Sequence, residues 1–146
     1  MLSPYVCVVC EKVIFAKDDV ASLINLFNKM VMAVPEEAPE IPKNAVAPKE
    51  WAVFSSWNTE LGDELKEYFL CTQVLYPDKS QFGDVARLKM KIESGKRFQA
   101  GVQILGFPVG QVGTYSVSTW VEENQGIVVN PIEFTFEVEI SRKKEA

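Results

Sequence analysis

The last third of the chain sets the tightest limit on what it can fold into. From residue 133 to residue 140 apolar and polar side chains alternate without a break. Phe134, Phe136, Val138 and Ile140 fall on one side, Glu133, Thr135, Glu137 and Glu139 on the other. A period of two sorts these residues onto the two faces of a strand, whereas a helix would scatter them around its circumference. The same period recurs upstream. Residues 85–93 put Ala86, Leu88, Met90 and Ile92 inward and Arg87, Lys89 and Lys91 outward. Phe98, Ala100, Val102 and Ile104 share one side of a further segment, and Tyr115, Val117 and Val121 alternate with Ser116, Ser118 and Trp120.

The first part of the chain reads less simply. Residues 5–15 are apolar on both sides, with Val6, Val8 and Cys10 against Cys7 and Val9, which suits a central strand. Residues 21–34 fit a helix face through Leu23, Leu26, Phe27 and Met30, or a strand face through Ile24, Leu26, Met30 and Met32. The apolar close of that segment and the short charged turn before it favour a strand, broken near Asn25 or Asn28. Pro35, Pro39, Pro42 and Pro48 make residues 35–48 a loop. Strand signals return at 51–57 and 65–76, separated by a turn at 61–64.

About eight strands result, with turn signals between them. Strands with one polar face pack as two sheets around an apolar layer. The expected fold is therefore all-β, an antiparallel β-sandwich forming a single domain over 1–146, with a frayed charged tail at 141–146. A closed barrel shares the same periodicity; the sandwich is preferred as the commoner form for a small all-β chain.

Composition narrows the chemistry. The 146 residues include no His, which removes the commonest general base and metal ligand. No Ser-His or Cys-His arrangement is then available. Three cysteines are too few for a disulfide framework, and the N-terminus lacks a basic region before its apolar stretch. Cytoplasmic residence and no membrane span are expected. A net charge of −5 argues against nucleic acid as a partner.

Several constellations invite a functional reading. Cys7 and Cys10 have redox-motif spacing, but residues three apart in a strand point to opposite faces, so neither a disulfide nor a shared metal is expected. Asp18, Asp19, Asp78 and Asp84 lie in turns, yet five Asp in the whole chain are thin supply for calcium, which is not expected. Gly106, Gly110 and Gly113 lack the lysine and hydroxyl of a phosphate loop and read as a hairpin or crossing loop. No residue is singled out as catalytic, cofactor-binding or metal-ligating. The basic stripe Arg87, Lys89 and Lys91, extended by Lys96 and Arg97, lacks the aromatic interleaving of a base-stacking surface. It has a counterpart in the acidic stripe Glu133, Glu137 and Glu139. The two stripes pair if their strands are neighbours. Otherwise each is a solvated face or half of a self-complementary contact between copies. Trp51, Trp57 and Trp120 mark either an interface or positions covered by a second layer, with sugar stacking as a further alternative.

The stretch 6–30, with Cys10-Glu11 and the Ser-Leu-Ile-Asn-Leu-Phe run at 22–27, followed by Gly113-Thr114-Tyr115 and the final strand, resembles a family of small bacterial proteins of unknown function. The resemblance covers most of the chain and implies an immunoglobulin-like or C2-like sandwich. It implies no activity or cofactor. The expected function is a non-enzymatic binding or assembly module that contacts another protein or a second copy of itself. Candidate contacts are Trp51, Trp57, Trp120, Arg87, Lys89 and Lys91. The alternatives are a small-ligand or glycan-binding sandwich using loop tips and Trp120, and a carboxylate-based hydrolase.

Overall fold

The apolar sides of the alternating segments meet between two sheets. The computed structural model describes residues 2–17, 20–123 and 126–143. Its strands are β1 (Ser3–Phe15), β2 (Ala21–Leu26), β3 (Lys29–Pro35), β4 (Val46–Asn58), β5 (Tyr68–Leu75), β6 (Gln81–Met90), β7 (Phe98–Pro108), β8 (Gly113–Glu123) and β9 (Gly126–Lys143). One sheet has the order β2-β1-β4-β7, the other β3-β9-β8-β5-β6. The fold is a β-sandwich, with every pairing antiparallel apart from the parallel pair β3–β9. Among the described residues no helix is long and apolar enough to cross a membrane.

Residues 21–34 are strand, broken where expected, but the break sends the two halves to different sheets. This raises the strand number from about eight to nine. Asn25 takes a left-handed backbone (φ 53°), which Asn tolerates better than most residues. Phe27 N–H then donates to Val9 C=O (3.2 Å), and Asn28 C=O accepts from Glu137 N–H (2.9 Å), so successive residues bond to opposite sheets. The reading of a frayed tail from residue 141 is corrected in part. Strand β9 continues to Lys143 because β3 supplies a partner, with Val34 facing Arg142 and Pro35 facing Lys143. Residues 144–146 lie outside the described residues, as do Asp18 and Asp19 of the first turn.

Trp51, Val53, Phe107, Tyr115, Val117, Phe136 and Val138 fill one half of the core; Leu2, Trp57, Tyr68, Leu70, Met90 and Val121 fill the other. Tyr115 stacks on Phe136, with ring centroids 5.1 Å apart. Its hydroxyl donates to Gln111 C=O (2.8 Å) and accepts from Gln111 N–H (3.3 Å). This is a tyrosine corner, pinning the entry of β8 to the loop before it.

The outer face of the four-stranded sheet has its own cover. Beyond Cys10, β1 pairs with β2 alone, and this hairpin folds back over the sheet. Phe15 packs on Phe54 (centroids 6.4 Å), and Val13 sits where a Cβ on Gly101 would meet it at 3.1 Å. Strand β4 is consequently buried on both faces.

Burial pushes the Tyr115 hydroxyl up to about 12. Burial and the hydrogen bond to Asp63 do the same for Tyr68, and burial raises Tyr76. These groups stay protonated in the fold at pH values where the unfolded chain, with Tyr near 10, has lost its protons. Their contribution is fully present below pH 10 and is lost as pH rises toward 12. Urea midpoints measured from pH 8 to pH 12 should hold until about pH 9.5 and then fall steeply, with tyrosinate absorbance appearing together with unfolding.

Candidate functional site

The outer face of the five-stranded sheet brings together three of the candidate contact residues. Tyr115, Val117, Thr119 and Val121 are buried inward along β8, which turns Ser116, Ser118, Trp120 and Glu122 outward. Cross-strand register then places Arg87, Cys71 and Trp120 in one row, and Lys89, Phe69 and Glu122 in the next. The rows are tied to each other. Trp120 Nε1–H donates to Glu122 Oε1 (3.1 Å), and Glu122 pairs with Arg87 (3.6 Å). The Arg87 guanidinium lies 3.9 Å from the Phe69 ring centroid, a cation–π contact. The result is a half-buried indole held in place by a carboxylate and flanked by a stacked arginine.

Cys71 lies between Trp120 and Arg87 in its row and is 1% exposed. Burial and the nearby Glu122 carboxylate push its thiol up, opposed by Arg87. A thiol so placed is a poor nucleophile. Trp120→Ala should uncover it. Labelling of native protein by an aromatic disulfide reagent is expected to gain a fast-reacting thiol, located at Cys71 by peptide mapping. Unchanged labelling would mean the indole does not shield the thiol.

The charged stripes occupy opposite sides of this face. Strands β6 and β9 are separated by β5 and β8, so at about 4.8 Å per strand they stand about 14 Å apart. They do not pair with each other within the chain. Lys89 meets Glu67 (3.7 Å), and Glu139 meets Lys29 (3.0 Å). Among the described residues Glu133 and Glu137 have no ion-pairing partner.

The other candidates go elsewhere. Trp51 and Trp57 are 0% exposed, which corrects their reading as contact residues. They share a side of β4, and that side faces the opposite sheet. Trp51 Nε1–H donates to Gly106 C=O (2.8 Å), while Trp57 Nε1 is buried without a partner. The signal was present in the sequence. Residues 51–57 contain no charged side chain on either parity, so neither side was suited to water. Lys91 also leaves the stripe: β6 ends at Met90, and Lys91 turns into a cleft beside the β6–β7 connection.

Cys7 and Cys10 diverge as strand parity requires. Cys7 turns inward, its thiol 3.7 Å from Thr119 Oγ1, and is pushed up to about 11 by burial; Cys10 is buried on the other side. Asp78 is engaged in its own turn, accepting from Ser80 N–H (2.9 Å) and from the Gln111 side chain (3.0 Å). Among the described residues no three His, Cys, Asp or Glu side chains converge as metal ligands.

Comparison with known proteins adds no family. No family model matches the chain, and no curated protein matches it significantly. Phe69, Cys71 and Glu122 were not singled out in the sequence. Their part in the face depends on register across three strands, which periodicity alone does not carry.

Proposed function

We propose that this chain is a non-enzymatic binding module whose outer five-stranded face contacts a second copy of itself. The observation that carries the reading is the charge layout: a basic edge at β6 and an acidic stripe at β9, on one face, with Trp120 and Phe69 between them. A two-fold axis lying in this face, passing beside Trp120 and steeply inclined to the strands, brings Arg87 and Lys89 of each copy toward Glu133 and Glu137 of the other. Each contact then occurs twice, as an isologous interface requires. Complementary potentials favour this docking over same-charge alignments, and a half-buried indole suits the centre of a contact. The sheet order and the tyrosine corner support an immunoglobulin-like reading of the sandwich. Membership of the small bacterial family suggested by the sequence, and a cytoplasmic setting, belong to the same proposal.

Light scattering coupled to size exclusion tests it. The mass should rise from the 16.4 kDa of one chain toward twice that value over the micromolar range, and less so as salt screens the charges. Trp120→Glu should hold the protein monomeric. A strict monomer at high micromolar concentration would sink the proposal. So would association that survives Trp120→Glu but disappears in Leu105→Lys. Strand β7 is a free sheet edge with no charged residue over its 11 positions, and Leu105 is 76% exposed on it.

A further inference from the structure

On the opposite side of the sandwich the end of β1, the β6–β7 connection and the start of β7 enclose a cleft of about 420 Å³. That volume is within the range of small-molecule sites. Phe15 forms an apolar wall, and among the described residues Lys91, Lys96 and Arg97 set three cations against the carboxylate Glu93. Lys96 and Glu93 are paired (2.8 Å). Arg97 is oriented in advance: its guanidinium lies 3.7 Å from the Tyr5 ring centroid, and its Nε–H donates to Asn58 Oδ1 (3.1 Å). Among the described residues its terminal nitrogens and the Lys91 ammonium have no partner.

Gln99 lines the cleft, yet its Oε1 is buried without a hydrogen bond. Ser56, directly opposite Gln99 on β4 and 3% exposed, has an equally unpartnered Oγ. Both atoms are closed off beneath the cleft, with no surface open to it, so the case for a ligand rests on the cations. Two unpartnered cations, one of them already oriented, need an oxyanion.

We infer that this cleft binds a small organic oxyanion. Its phosphate or carboxylate group lies between Lys91 and Arg97, and its apolar body lies against Phe15. The site is independent of the Trp120 face, so its failure and that of self-association are separable.

Amide and arginine side-chain NMR shifts, followed during titration, test it. The probes are 4-hydroxyphenyl phosphate, 4-hydroxybenzoate and neutral 4-hydroxybenzyl alcohol. A saturable response in the low-millimolar range is expected from one or both anions, centred on Phe15, residues 91–99 and the Arg97 Nε–H. The stronger anion tells whether phosphate or carboxylate is preferred. Lys91→Gln, which disturbs no packing, should weaken that probe about tenfold, the worth of one charge-assisted contact. It should leave the light-scattering mass unchanged. The inference is overturned if neither anion saturates, if the neutral alcohol binds as well as they do, if the shifts scatter over lysines elsewhere, or if Lys91→Gln binds like the wild type.

Discussion

Trp51→Phe is expected to destabilise the protein by about 1–3 kcal/mol more than Trp57→Phe. Both indoles are fully buried, and both changes remove the same volume. The difference lies at one nitrogen. Trp51 Nε1–H donates to Gly106 C=O at 2.8 Å, so the phenyl ring leaves a carbonyl without its partner. Trp57 Nε1 has no acceptor, so losing it removes an unsatisfied donor and offsets part of the cavity cost. The environments sharpen the contrast. The Trp51 ring packs against Phe107 (5.2 Å), Phe136 (5.5 Å) and Phe27 (6.3 Å). Truncation to Ala at position 51 should therefore cost about 3–5 kcal/mol, and more if the cluster fails to collapse into the space. Urea denaturation of the two Phe variants checks the difference. Equal midpoints would show that the Trp51 hydrogen bond contributes nothing net.

Gly110→Ala should lower stability by about 2–3 kcal/mol, although it adds a single methyl group. The loop between β7 and β8 crosses beneath the proline-rich segment, and Val109 N–H donates to Ala45 C=O there (3.1 Å). A Cβ at position 110 would run into the carbonyl oxygens of Pro42 and Lys43. These are backbone atoms in a stretch stiffened by Pro39, Pro42 and Pro48, so they yield poorly. The nearby bond to Ala45 would be strained as the segments part. For a chain of this size the melting temperature should drop by roughly 6–10 °C. Gly126→Ala serves as the comparison, since there the added carbon would meet a backbone oxygen only at 4.0 Å. A Gly110→Ala melting curve overlying the wild type would mean the proline segment moves aside freely.

Much of the architecture was legible because one face of most strands is solvated. Phe134, Phe136 and Val138 alternate with glutamates, and parity alone sends them inward. It likewise separates Cys7 from Cys10 and groups Trp51 with Trp57. What stayed hidden depends on which strands are neighbours. The split of residues 21–34 between two sheets follows from hydrogen bonds that Phe27 and Asn28 make to partners far away in sequence. The extension of β9 to Lys143 requires a parallel partner, which no local pattern announces. The burial of β4 on its second side comes from a hairpin folding over its own sheet. Of the candidate site, Arg87, Lys89 and Trp120 were named from residue type and parity. The carboxylate that joins Trp120 to Arg87, and the thiol beneath them, emerged with the register. The cleft was least visible, because Phe15 at the end of β1 meets the 91–99 segment only in the folded chain.

Mixing two charge-altered variants reads the proposed face most directly. One carries Arg87→Gln and Lys89→Glu; the other carries Glu133→Lys and Glu137→Lys. In sedimentation equilibrium each alone should run as a monomer, since like charges then meet across the two-fold axis. Combined in equal amounts they should form a species of about twice the 16.4 kDa chain mass, because both symmetry-related contacts then bring opposite charges together. Variants that dimerise separately as well as the wild type, or a mixture that stays monomeric while the wild type associates, would contradict the account.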